Sequence, residues 1–181
     1  MSAIDNRTDS AFFQDDVLNV APKLIGKYLC RAFDDGSIIR KRITEIEIYR
    51  GEEDLACHAS KGKTARNEVM YKKGGVLYIY LIYGMHWMLN FVTGDINNPQ
   101  AILLRGIDDV IGPGRLTKKL KIDKSFNGED LSKSKRIWIE NNELKADYTT
   151  DVRIGIDYAG DYWKNKLWRL VLKEEGRDFV G

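Results

Sequence analysis

Val76-Leu77-Tyr78-Ile79-Tyr80-Leu81-Ile82-Tyr83, closed by Gly84, is the strongest strand signal in the chain. Its residues are β-branched, aromatic or leucine, types that fit a pleated, half-buried surface. Gly84 breaks the run and residues 86–93 resume the pattern, so the two segments read as a hairpin. Side chains alternate along a strand, which sets Tyr78 and Tyr80 on one face and leaves Tyr83 at the end, beside the breaker. Tyr78 reads as core or cross-strand packing, and Tyr80 as either packing or binding. A tyrosine at a hairpin tip is not needed for a core. It suits stacking on bases or wedging between them.

Outward from this hairpin, residues 27–33 and 38–50 read as strands joined by the Asp34-Asp35-Gly36 turn. The second changes face between its halves, which predicts a bulge or a switch in burial. Further strands are expected at 100–107, 136–140, 152–157 and 167–172. Residues 15–26 carry an apolar helical face behind Asp15 or Asp16 as cap, with Gly26 as stop, and Pro22 should shorten or kink the helix. A helical turn is expected at 66–71, and a basic helix at 115–122, after Gly112-Pro113-Gly114. Strands outnumber short helices, so the fold class is α+β, antiparallel-dominated. Residues 1–10 read as a mobile N-terminal tail and 11–181 as a single domain.

The length, 181 residues, fits one domain, and 29 Lys and Arg oppose 27 Asp and Glu. No apolar run approaches the roughly 20 residues of a membrane span, and the polar start MSAIDNRTDS is no secretory signal. A soluble, cytoplasmic chain is expected. Two Cys (Cys30, Cys57) and two His (His58, His86) make neither a disulfide framework nor a rich metal site, so no metal is expected. Motifs for nucleotide phosphates, dinucleotides and an acyl-enzyme serine are missing from the sequence. Charge is patterned: an acidic block at 45–54 lies before basic runs at 61–73 and 115–124. Solvated surface is the ordinary reading of such runs. Lys61, Lys63, Arg66, Arg115 and Lys118, in or beside Gly-bearing loops, also fit contacts to DNA phosphates.

Glu47 is the first candidate for chemistry, because a carboxylate at the end of an apolar strand is a better base when desolvated. The alternative is a strand-end Glu facing water. Glu45 and Glu47, about 6.6 Å apart along a strand, could also pair as acid and base, although paired carboxylates normally flank a substrate from different elements. Asn90, between Leu89 and Phe91, either satisfies a structural partner or reads a ligand's hydrogen-bonding edge. Arg105 ends an apolar strand, and either snorkels or pairs with Glu47. Cys57 and His58 are adjacent, so they do not face each other as nucleophile and base.

An ordered set of strings resembles one enzyme family. They are Ile43-Thr44-Glu45-Ile46-Glu47-Ile48-Tyr49, Cys57-His58-Ala59-Ser60, Thr64-Ala65-Arg66-Asn67, Gly75 through Met85, Leu89-Asn90, Ala101 through Arg105, Gly112 through Leu116, Ile137 through Glu140, and Arg153 through Gly160. Together they cover most of the chain from about residue 12 to 172 and resemble the alkyladenine (3-methyladenine) DNA glycosylases. The resemblance implies a single mixed α+β domain with a curved antiparallel β-sheet, short helices and a protruding, DNA-intercalating β-hairpin. It implies no cofactor, and as partner double-stranded DNA containing damaged purines; a monomer on DNA is the default expectation. By position, Glu47 matches the general base that activates the attacking water; Arg105 and the carbonyl of Ile154 match its neighbours. Tyr83, with Met85 beside it, matches the intercalating position; Tyr49, His58 and Tyr80 match the base pocket; Asn90 matches the amide that excludes guanine. No lysine falls in the matched catalytic string, which implies a monofunctional glycosylase. Two other classes fit the residues: a lesion-binding module without catalysis, and a nucleoside hydrolase. The basic runs and Tyr83 argue against the second, since a nucleoside has no flanking phosphates.

Overall fold

The computed structural model describes residues 6–142 and 145–173. Nine strands form one antiparallel sheet: β1 (Tyr28–Ala32), β2 (Ile38–Arg50), β3 (Leu77–Ile82), β4 (His86–Thr93), β5 (Gln100–Ile107), β6 (Val110–Ile111), β7 (Ile137–Glu140), β8 (Tyr148–Asp151) and β9 (Arg169–Leu172). The main order is β3-β4-β5-β2-β1-β7, with β6 on β5, β9 on β2 and β8 on β9. Among the described residues three short α-helices accompany it: α1 (Val17–Leu24), α2 (Pro113–Lys119) and α3 (Gly160–Lys164). The α+β, single-domain, antiparallel expectation therefore holds. Among the described residues, no helix is long and apolar enough to cross a membrane.

β2 positions the site. Its first half pairs with β1, from Tyr28↔Arg42 to Ala32↔Ile38. Its second half pairs with β5, and Glu45, Ile46 and Glu47 also pair with β9. The register shifts at Ile43/Glu45 and again at Glu45/Ile46, where the face change predicts a bulge. Before the shift burial alternates; after it Glu45, Ile46, Glu47 and Ile48 are all buried. Gly106 faces the irregularity on β5: a Cβ there would stand 2.9 Å from Thr44 Oγ1 and 3.0 Å from Glu45 Cβ. The main core lies beside this strand and contains Phe13, Val20, Leu24, Phe91, Ile102, Leu104 and Leu116.

α1 starts where Asp16 caps it, its carboxylate accepting from Leu18 N–H at 2.9 Å. The helix has eight residues in place of the twelve expected, bounded by the Asp16 cap and Ile25, and Pro22 lies inside it. The basic helix begins earlier than expected, with Pro113 in its first turn, and closes at Lys119. The stretch 66–71 makes a 3₁₀ turn at Glu68–Tyr71. The strand expected at 152–157 is not formed. The strand lies one step earlier, in β8, and the alternation of Val152, Ile154 and Ile156 meets no partner strand. There the backbone turns at Gly155, with φ +75°, into a 3₁₀ turn at Asp157–Ala159 and then α3. In the stretch expected as a tail, Thr8 N–H donates to Ile139 O at 2.9 Å, and Arg7 bridges to Glu140.

Candidate active site

A cleft of about 620 Å³ opens over β2, β3, β4 and β5, a size that accommodates a nucleotide-like ligand. Glu47 lies at its floor with no exposed surface. Both carboxylate oxygens are held: Oε1 accepts from Ile154 N–H at 2.7 Å, and Oε2 accepts from the Tyr49 hydroxyl at 2.8 Å. Arg105 Nε stands 3.6 Å from Glu47 Oε1 and 3.3 Å from Glu45 Oε1. Burial pushes the Glu47 pKa up, while Arg105, the two hydrogen bonds and Arg153 oppose that rise. The group is thus dry, oriented and chargeable, as a general base requires. Tyr49, which burial and the neighbouring Glu47 keep protonated far above its ordinary range, donates at any physiological pH.

Glu45 has a different role from its neighbour. Its Oε1 also accepts from Arg169 at 3.0 Å, so it serves as a counter-ion to two buried-side arginines. The contact seen at Ile154 runs through its N–H, which the sequence did not suggest. The acidic block at 45–54 is a solvated face only in part: Glu45, Glu47 and Asp54 are buried, while Glu52 and Glu53 are exposed.

Aromatic rings wall the cleft. Tyr49, His58, Tyr78 and Tyr80 all line it. The His58 ring meets Tyr80 edge-on at 4.4 Å between centroids, and His58 Nδ1 lies 2.9 Å from the Tyr78 hydroxyl. His58 is an exposed residue that lines the cleft, yet loss of hydration among these rings, and then the Arg66 charge, push its pKa down to about 4. At neutral pH the imidazole is uncharged. Asn90 is buried in the same wall, and its Nδ2 donates to Tyr78 O at 3.1 Å, so its amide is oriented by the strand it faces.

Cations stand around the mouth. Arg66 and Arg115 line the cleft from opposite elements, and Lys118 borders a smaller hollow beneath Met85 and Trp87. Lys61, the last residue of the 3₁₀ turn that begins at His58, and Lys63 just beyond it are exposed, with Lys63 over the Tyr71 ring at 5.6 Å. At the hairpin tip Tyr83 is 84% exposed and Met85 69%. Among the described residues, no group of three or more His, Cys, Asp or Glu is placed to hold a metal ion.

Arg153, Asp54 and Tyr158 escaped the sequence reading. Tyr158 lines the cleft, and its hydroxyl donates to Ala56 O at 3.2 Å. Arg153 and Asp54 form a wholly buried ion pair at 2.6 Å. The sequence signals were that Arg153 and Tyr158 fall in the matched string Arg153 through Gly160, and that Asp54 ends the acidic block, with no role given to any of the three.

The sequence profile of the methylpurine-DNA glycosylase family matches residues 11–111 and 108–176. A protein of Borreliella burgdorferi (strain ZS7), provisionally named 3-methyladenine DNA glycosylase, is 41% identical over 179 residues, 92% of this chain and 96% of its own. Proteins of the same provisional name from Psychrobacter cryohalolentis and Rickettsia felis are each 41% identical. The former covers 83% of this chain and 84% of its own, the latter 90% and 91%.

Proposed function

The chain belongs to the methylpurine-DNA glycosylase family, and from that premise we propose that it is a monofunctional glycosylase that removes damaged purines from duplex DNA. The observation that carries the reading is Glu47: a fully buried carboxylate, held at both oxygens, at the floor of an aromatic cleft. In this reading the damaged nucleotide turns out of the helix into the cleft, at an unstacking cost of a few kcal/mol that is smaller for lesions. Its base lies against Tyr49, His58 and Tyr80. An N-alkylated purine is cationic, and attraction to aromatic faces favours it by about 1–2 kcal/mol when desolvated. The uncharged His58 supports this, since an imidazolium there would repel such a base. Glu47 takes a proton from a water whose oxygen attacks C1′. The C1′–N bond breaks and the bonding pair leaves with the base. A cationic base departs neutral and needs no proton donor. Arg105 holds the charge of Glu47, and the carbonyl of Ile154 is a further water partner. Tyr83 and Met85 fill the vacated stack, while Lys61, Lys63, Arg66, Arg115 and Lys118 hold phosphates.

The test is single-turnover base release from duplexes with one central 7-methylguanine, 3-methyladenine, hypoxanthine or ethenoadenine, followed by alkali to cut abasic sites. Release without strand cleavage before alkali is expected. With 7-methylguanine, the rate should rise with pH along one limb as Glu47 ionises. Its midpoint should lie above the roughly 4.3 of an ordinary glutamate, because burial raises the Glu47 pKa. Lesion-specific binding with no release from any duplex would leave a recognition module.

Asn90→Ser is expected to admit guanine. The substitution shortens an amide held against Tyr78 O in the wall of the cleft. Release of undamaged guanine should rise by roughly 10-fold or more, within the range a single steric or hydrogen-bonding element controls. Unchanged guanine release would take the screening role from Asn90.

A further inference from the structure

Both groups that hydrogen-bond the Glu47 carboxylate adjoin one residue that the mechanism above does not use: Ile154 follows Arg153 in the chain, and the Tyr49 ring lies near its guanidinium. Arg153, in the segment that follows β8, is buried against β2. Its guanidinium donates to Asp54 Oδ2 at 2.6 Å and Oδ1 at 3.0 Å, to Ile48 O at 2.9 Å and to Trp163 O at 3.2 Å. Asp54 in turn accepts from Arg50 N–H and Ala56 N–H, both at 3.1 Å. The fork thus ties three elements together: the strand that carries Glu47, the loop that leads to His58, and α3. A bidentate arginine fixes orientation in a way a point charge does not.

The two ends of this anchor meet at Glu47. Arg153 immediately precedes Ile154, whose N–H binds Oε1. The guanidinium carbon also lies 4.9 Å from the Tyr49 ring centroid, and the Tyr49 hydroxyl binds Oε2. Trp168 lies on the guanidinium as well, at 5.0 Å. The pair is costly: two charges are fully desolvated, and Arg153 Nε has no hydrogen-bond partner. An apolar pair would fill the same space without that cost, so stability alone does not explain it.

We propose that Arg153, locked by Asp54, is a positioning residue for the glycosylase reaction: it holds Ile154 N–H and the Tyr49 hydroxyl on the Glu47 carboxylate and so aims the general base. This rests on the function proposed above and assigns that site a support it otherwise lacks.

The experiment measures single-turnover release of 7-methylguanine against pH, together with affinity for the lesion duplex and thermal melting. The proteins are wild type, Arg153→Lys, and the double variant Asp54→Leu/Arg153→Met. The double variant leaves no unpaired buried charge, so it carries the test if the single variant does not fold. Loosening both hydrogen bonds removes two effects that hold the Glu47 pKa down, and the double variant removes the Arg153 charge as well. The other groups around Glu47, namely Arg105, Tyr49, Glu45, Tyr80 and Tyr158, are left in place. Release is expected to fall by about 10–100-fold in either variant, with the acid limb displaced to higher pH and lesion affinity within about 3-fold of wild type. A merely structural role would lower the melting temperature and leave the limb in place. A folded double variant with the wild-type rate and limb overturns the positioning role while the glycosylase reading stands. No release by wild type from any lesion duplex overturns both.

Discussion

Replacing Glu47 by glutamine is expected to abolish base release and leave the fold at least as stable as before. Removing a general base costs about 10²–10⁴-fold in rate, or roughly 3–5.5 kcal/mol of barrier. The amide is nearly isosteric, so the cleft keeps its shape. Its oxygen still accepts from Ile154 N–H, its NH₂ turns toward the Tyr49 hydroxyl, which accepts in place of donating, and Arg105 retains Glu45. Lesion affinity should change by no more than a few-fold. Stability follows from the sign of the Glu47 shift. The folded pKa lies above the unfolded one, so this group favours folding below the unfolded pKa and loses that benefit as pH rises through the folded pKa. At pH 7 the ionised side chain therefore opposes folding, and glutamine removes the penalty. A gain of about 1 kcal/mol would raise Tm by roughly 2–4 °C in a chain of this length. Melting curves at pH 5 and pH 8 test the linkage: the advantage of the variant should be larger at pH 8. A folded Glu47→Gln protein that releases base at the wild-type rate would falsify the general-base assignment.

The same electrostatics explain why the site is built from pairs. Around the bulge of β2, Arg105 and Arg169 balance the two carboxylates Glu45 and Glu47, with Glu45 taking the closer contacts to both and Glu47 sharing Arg105 at the longer 3.6 Å. A closer contact to Arg105 would hold Glu47 ionised more firmly and weaken it as a base. Burial without Arg105 would push its pKa further up. The bulge sets this compromise, because Glu45 and Glu47 receive different neighbours although they lie two residues apart.

What could be read from the sequence was what is local. Residues 77–82 and 86–93 are strands because their own side chains demand a pleated surface, and the hairpin between them follows from Gly84. The bulge in β2 showed as a change of face. Glu47 was a candidate by residue type, but its burial depends on β5 and β9, which flank it from distant parts of the chain. Asp54 looked like one more acidic side chain in a surface run, and its partner lies 99 residues away. Residues 152–157 alternate as a strand would, and were misread because periodicity does not reveal whether a neighbouring strand exists. Arg153 and Ile156 are the inward side chains of that segment, while Val152 and Ile154 are exposed, so a buried ion pair together with a small apolar cluster around Ala56 and Ala159 holds the loop in place.

Substituting Tyr83 is expected to separate capture of the lesion from the chemistry on it. Tyr83 holds φ +53° and is followed by Gly84 at +66°, with Met85 N–H donating to Ile82 O at 3.1 Å. Two successive positive φ values suit the mirror-image turns that match strand twist, where asparagine and glycine are the usual residues. A tyrosine there costs on the order of 1 kcal/mol, and its ring packs against nothing that would repay this, being 84% exposed. Strain held at an exposed aromatic tip is explained if the ring acts on a partner. Stacking is worth about 1–3 kcal/mol per base, so Tyr83→Ala should weaken lesion-duplex binding and subsaturating single-turnover release by roughly 10–100-fold. Tyr83→Gly should do the same and raise Tm, since glycine takes positive φ without strain. The loss should shrink when the lesion already lies unstacked, as in a single-stranded oligonucleotide, because no gap then needs filling. Equal losses on duplex and single strand would mean that Tyr83 acts on the cleft and not on the stack. Wild-type capture by both variants would mean that the strained tip has another purpose.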